Sequence, residues 1–245
     1  KFLRYAKQIL RQIDGLEEMF RDEHRDRQSF SVSVPRASYI SSAFVKFSDM
    51  IDKEKPAEIF YKETNSLRAI TNILDADYKL GIIRYAENYE KYFSAMLDEK
   101  GLAAELIAEF SFVLIMSEKH PLASKDSISF DDLSDFTEIA HADPYVPSLP
   151  FSIVRHDELP DDIEKRIYVF ERASQFDLLS ETEGTFMWVS PVPHELLDKY
   201  GLVQRKCSDN KKKYRDVLIY KKDYKLTKLD ALFIGEVKKS KQKYL

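Results

Sequence analysis

From Ser29 onward, short β-type runs alternate with amphipathic helical runs, which confines the chain to parallel sheets with crossover helices. Phe30, Val32 and Val34 space a first strand that Pro35 ends, and Ile40, Phe44, Phe47 and Ile51 then recur at helical intervals. The unit repeats. Residues 57–63 are strand-like, Leu67, Ile70 and Leu74 mark a helix, 80–83 a strand, and Tyr89, Tyr92, Phe93, Met96 and Leu97 another helix. The run from Ala104 to Met116 alternates Leu106, Ala108, Phe110, Phe112, Leu114 and Met116 over thirteen residues, well beyond a typical strand. A run that long is expected to leave one sheet and enter a second, which puts a lobe boundary inside it. The division expected is 28–110 for a first lobe and 111–219 for a second, with 220–245 returning to the first.

The second half continues the alternation. Strands are expected near 137–140, 166–170, 186–190 and 214–220, with helices near 174–183 and 193–200. The proline-rich stretches 143–150 (DPYVPSLP) and 159–162 (LPDD) are turn chemistry and argue against one regular element between His141 and Glu164. A last helical face, Leu229, Leu232, Phe233 and Val237, ends in Lys238, Lys239, Lys241 and Lys243. Those lysines either meet phosphate or simply complement a helix C-terminus, and the second reading is the simpler.

Ahead of this pattern, Phe2, Ala6, Ile9, Ile13, Leu16 and Phe20 stand at alternating spacings of four and three. This is the seam of a helix packed along another helix, or of an amphipathic helix lying on its own domain. The polar run 22–28 (DEHRDRQ) reads as a connector after it.

Composition narrows the function classes. A hydrophobic fraction of 44% suits a chain with a real core, and 38 basic against 42 acidic residues give no general attraction to phosphate backbones. No apolar run is long enough to span a bilayer and no secretory leader pattern opens the chain, so a cytoplasmic location is expected. The single cysteine, Cys207, rules out an intrachain disulfide framework and a multi-thiolate metal site. His24, His120, His141, His156 and His194 are scattered without a ligand pair, and neither a glycine-rich phosphate loop nor a GxSxG elbow is present. No metal, no cofactor and no enzyme is therefore expected, although carboxylate pairing for acid–base work is invisible to a sequence.

Helix starts placed directly after strands do stand out. Ser38, Ser66 and Ser174 open such helices, at the strand tips where open α/β sheets bind ligands and where unpaired amides favour an anion. Each serine taken alone reads as an ordinary cap.

In order along the chain, the amphipathic helix, the strand 30–34 followed by Pro35-Arg36-Ala37-Ser38-Tyr39, the turn Lys62-Glu63-Thr64-Asn65-Ser66 and the strand 78–83 (YKLGII) resemble the first lobe of LysR-type effector domains. The likeness continues through Leu106 to Met116, His120-Pro121-Leu122-Ala123, Asp132-Leu133, Ser174-Gln175-Phe176 to Glu183-Gly184, and Phe186 to Pro191. Thr64 stands where the family commonly has glycine, Gly81 where it has alanine, and Phe186 where it has a second glycine, which changes that edge of the cleft.

The resemblance implies a periplasmic-binding-protein-like fold of type 2: two Rossmann-like α/β lobes joined by crossing strands and preceded by a linker helix over 1–27. It implies the effector-sensing and oligomerisation part of a LysR-type transcriptional regulator. DNA would be reached only through a winged helix-turn-helix ahead of residue 1, since that residue falls inside an ongoing helix without an N-cap. Carried over by position, Arg36, Ala37, Ser38, Tyr39, Asn65 and Ser66 would face His141, Ala142, Ser174 and Val189 across an effector cleft. Arg36 either grips a carboxylate with two parallel bonds, which favours a small organic anion, or is solvated at the lobe edge. A homodimer or homotetramer would form through Ile9, Ile13 and Leu16 and exposed members of the Phe44, Phe47, Ile51 series. The rivals are a stand-alone solute receptor of a transporter and an enzyme on the same fold.

Overall fold

A computed structural model describes residues 27–159 and 163–245, so the heptad positions, Ile9, Ile13 and Leu16 among them, lie outside the described residues. The chain runs through β1 (Gln28–Val34), α1 (Ser38–Ser48), β2 (Ala57–Glu63), α2 (Ser66–Asp75), β3 (Leu80–Ala86), α3 (Glu90–Glu99) and β4 (Leu102–Phe110). It continues with β5 (Val113–Ser117), β6 (Ser127–Ile128), β7 (Thr137–His141), α4 (Phe151–Glu158), β8 (Arg166–Val169), α5 (Ala173–Glu181) and β9 (Thr185–Val189). The last elements are α6 (His194–Tyr200), β10 (Leu202–Cys207), β11 (Tyr214–Lys221) and α7 (Lys228–Tyr244).

Two sheets result. The first has the order β2-β1-β3-β11-β4 and the second β6-β10-β5-β9-β7-β8. In the first, β1 pairs in parallel with β2 and β3, while β11 is antiparallel to both β3 and β4. In the second, β7 is parallel to β8 and β9, and β5 is antiparallel to β9 and β10.

Position in the sheet follows residue character. The sequence LGIIRYA of β3 is buried along nearly its whole length and takes the centre, whereas the half-exposed AEIFYKE of β2 takes an edge. One face of the first sheet is closed by α1 and α7, where the Phe30 ring meets those of Phe47 and Phe233 at 4.5 and 5.2 Å. On the other face α2 sits so close that a Cβ on Gly81 would come 2.8 Å from Ile73 Cδ1. Glycine in place of the alanine expected from the resemblance gives that approach its room.

The thirteen-residue run does cross between sheets, breaking at Ser111 and Phe112 into β4 and β5. The return comes earlier than expected. β11 starts at Tyr214 and lies wholly in the first sheet, because the alternation of a strand does not say which sheet receives it. A helix, α4, forms between the two proline-rich stretches: Pro150 precedes it, and its carbonyl accepts from Val154 N at 3.2 Å. Only Val154 of that helix is buried, so no apolar stripe marks it in the sequence.

Of the expected association face, Phe47 drops out because it is fully buried, while Phe44 and Ile51 are half-buried and pack in part against the same core, three-to-four spacing selecting the face turned to the sheet. Val45, 64% exposed, is what the helix turns outward. The terminal lysines are largely engaged: Lys238 pairs with Glu105, Lys239 with Glu236 and Lys243 with Glu195.

A buried ion pair stitches the return strand into place. Arg84 of β3 stands directly opposite Asp216 of β11, and its Nε and Nη2 each donate to the carboxylate at 2.7 Å. Tyr39 Oη donates to Asp216 Oδ2 at 2.6 Å, and burial together with that carboxylate pushes the phenol well above its usual range. Asp216 is completely buried, so removing it would leave a guanidinium and a phenol without their partner. Asp216→Ala is expected to cost about 3–5 kcal/mol in urea denaturation. Tyr39→Phe, which leaves the ion pair intact, is expected to cost roughly 1–3 kcal/mol.

Candidate functional site

The tips of the parallel strands in the two sheets face one another, and between them lies a cavity of about 430 Å³. From the first lobe it takes Pro35 and Arg36 after β1, Thr64 to Ser66 after β2, and Arg84, Tyr85 and Ala86 at the end of β3. From the second it takes Ile139, Ala140 and His141 at the end of β7, Met187, Trp188 and Val189 of β9, and Gln175 of α5. Phe112 and Tyr214 line it at the two crossings.

Polar contacts span the gap. Arg36 Nη1 and Nη2 donate to Asp143 Oδ1 and Oδ2 at 2.9 and 3.1 Å, and Asn65 Nδ2 donates to the Asp143 carbonyl at 3.1 Å. Arg172 reaches back from the second lobe to Glu63 Oε1 at 3.4 Å and to Ser38 Oγ at 2.9 Å. Burial raises the Glu63 carboxyl pKa, opposed by Arg172 beside it. On the cavity wall Tyr214 Oη donates to Glu158 Oε2 at 2.8 Å, and Lys212 Nζ lies 2.9 Å from oxygens of both Asp157 and Glu158.

These contacts make the segment 143–158, which connects β7 to β8 of the second sheet, a strap docked on the first lobe. Its Val146 and Val154 belong to the first lobe's apolar core, and Tyr145 meets the Phe93 ring edge-on at 6.2 Å.

His141 is held neutral. Burial and the Arg36 guanidinium push it down to about 4, and its Nδ1 lies 3.0 Å from the Val169 carbonyl. A carbonyl only accepts, so Nδ1 carries the proton and Nε2 presents a lone pair. Glu138 and Arg166 form a second buried pair at 2.6 Å on the wall of the second lobe.

Of the residues expected at the cleft, Arg36, Asn65, Ser66, His141 and Val189 line the cavity. Ala37 and Tyr39 do not. Both are buried in the first lobe's core, Tyr39 by its bond to Asp216. Ser38, Ala142 and Ser174 also lie off the cavity wall, Ser38 being taken by Arg172. The capping assignment shifts by one residue, since Asn65 rather than Ser66 caps α2 by accepting from Arg68 N. Ser66 Oγ instead bridges the backbone of Arg84, accepting from its N–H and donating to its carbonyl. Arg36, expected to offer an open guanidinium, is already met by Asp143 on both of its terminal nitrogens.

The residues that reading missed carry a signal of their own. Arg84 in LGIIRYA, Asp216 in YRDVLIYK and Glu138 in TEIAH are each a charge inside a buried strand, and each is paired across strands. Cys207 is buried, and that burial pushes its thiol up. Among the described residues no group of three or more His, Cys, Asp or Glu side chains is arranged to hold a metal, and no helix is long and apolar enough to cross a membrane.

No protein-family model and no curated protein matches the sequence. Solved structures do. The regulatory domain of MetR, a LysR family regulator from N. meningitidis, is 14% identical with a TM-score of 0.56, over 89% of this chain and 95% of that one. The effector binding domain of QuiR in complex with shikimate is 18% identical with a TM-score of 0.56, over 90% of this chain and 100% of that one. A full-length OxyR variant from Pseudomonas aeruginosa is 12% identical with a TM-score of 0.58, over 95% of this chain and 77% of that one. At these identities the likeness establishes the fold: the chain has the two-lobed α/β architecture of LysR-family regulatory domains.

Proposed function

We propose that this chain is the effector-sensing part of a LysR-type transcriptional regulator and that a small molecule binds between its lobes. The observation that carries the reading is the cavity of about 430 Å³ where the strand tips of both sheets converge, bridged by ion pairs that differ in partner from lobe to lobe. A cavity of that size is in the usual range for small-molecule sites, and strand tips are where open α/β sheets place them. The titles of the solved structures with this fold support the same reading.

As a switch, the guest acts through its differential affinity for two lobe arrangements. Arg36–Asp143 and Arg172–Glu63 define the arrangement seen here, and a guest touching both lobes biases the equilibrium by whatever it gains or loses against those pairs. Assembly through the heptad positions Ile9, Ile13 and Leu16 would then carry the lobe arrangement to the DNA-reading part of such a regulator.

A thermal-shift screen of metabolites tests the site. A ligand at 100 times its Kd stabilises the folded state by about 2.7 kcal/mol, and Trp188, the only tryptophan, should report it by fluorescence from the cavity wall. Val189→Phe, placed at the cavity wall, is expected to weaken every hit at least tenfold; hits that survive it unchanged would place binding elsewhere. Association is tested separately: Ile9→Asp with Ile13→Asp should lower the mass seen by light scattering at micromolar concentration, and an unchanged mass would remove the heptad from the assembly.

A further inference from the structure

The polar inventory of the cavity favours one class of guest. Each guanidinium on its walls already faces a carboxylate: Arg36 faces Asp143, Arg84 faces Asp216 and Arg166 faces Glu138. Lys212 is shared by Asp157 and Glu158. Lys211 is exposed and donates to the Ser208 carbonyl. A carboxylate guest would have to settle for the exposed Lys211 or take a guanidinium from its partner, and displacing Asp216, at 0% exposure, or Glu138, at 4%, would leave a buried charge without a counterion.

What the walls leave unused is an acceptor. Gln175, 3% exposed, has no hydrogen-bond partner at Oε1 among the described residues. Gln175 is hydrogen-bonded to His141, whose Nε2 lone pair takes the amide N–H and leaves Oε1 without a donor. An unmet buried acceptor calls for a donor.

The remaining surface is aromatic and apolar, with Tyr85, Tyr89, Phe112, Met187, Trp188 and Tyr214 on the walls. An apolar cavity of about 150 Å³ holds one benzene, so the space here suits about two or three rings.

We infer that the effector is a neutral, largely aromatic molecule of two or three rings that donates one O–H or N–H to Gln175 Oε1. This rests on the reading of the cleft as the effector site, and it replaces the anion that Arg36 alone would suggest.

The test is isothermal titration calorimetry with three probes of one shape: 4-phenylphenol, 4-methoxybiphenyl and biphenyl-4-carboxylate. The phenol is expected to bind at least tenfold more tightly than the carboxylate and several-fold more tightly than the ether. In Gln175→Leu, checked for an intact fold by circular dichroism, the phenol and the ether should bind within twofold of each other. Carboxylate binding as tight as that of the phenol, or a phenol–ether gap that persists in Gln175→Leu, overturns the inference, as does a protein that binds none of the three. Val189→Phe separates the two levels. If it abolishes tight carboxylate binding, the cleft stands as the effector site while the proposed class falls; if binding is indifferent to it, the cleft itself falls.

Discussion

The Arg84–Asp216 pair is the constraint on which the rest of the arrangement depends. The chain leaves the first sheet after β4, builds the second, and must come back between β3 and β4, an insertion that hydrophobicity alone does not place in register. A charge buried at 0% exposure opposite one guanidinium does, because shifting β11 by one residue would strand both groups. The same arginine connects register to site. Its backbone holds Ser66 at the start of α2, and Tyr85 and Ala86, which follow it, line the cavity.

Charge balance then decides the character of the cleft. Two-lobed receptors can keep a guanidinium unpaired at the strand tips to receive an anion. Here Asp143, Asp216 and Glu138 satisfy each guanidinium from within the protein, and an interior whose cations are neutralised is chemically an apolar one with a directed acceptor. His141 belongs to the same pattern, since the positive neighbour Arg36 and burial keep it neutral.

Much of the architecture was legible in the sequence because it rests on periodicity. Strand–helix alternation places β1 to α3 nearly residue by residue, and the overlong run 104–116 announces a crossing. What was not legible depends on tertiary partners. Phe47 and Val45 sit on one helix, and spacing identifies the packed face but not whether its cover is this chain's own sheet or another copy. β10, LVQRKC, carries three consecutive polar residues, and it is a strand through its pairing with β5 rather than through its pattern. Arg36 is the instructive residue. Its type and position suggested an anion, and its partner, Asp143, is 107 residues away in a stretch whose prolines signalled only turns.

That stretch also changes what a guest has to do. Burying Val146 and Val154 in the first lobe contributes roughly 1.5–3 kcal/mol each, and the Tyr214–Glu158 and Arg36–Asp143 contacts add to it. The strap thus holds the lobes near one another without help, and a guest is not needed as the glue between them. A coupling of about 1–3 kcal/mol is the usual scale of allosteric control, comparable to one of those valines. A guest can therefore shift the lobes only by acting on the partners that do not belong to the strap's buried core. Arg172 is part-buried like Arg36, but its contact with Glu63, at 3.4 Å, is longer than those of Arg36 with Asp143 at 2.9 and 3.1 Å. The long Arg172–Glu63 contact is therefore the one that a guest displaces at least cost while the strap stays seated.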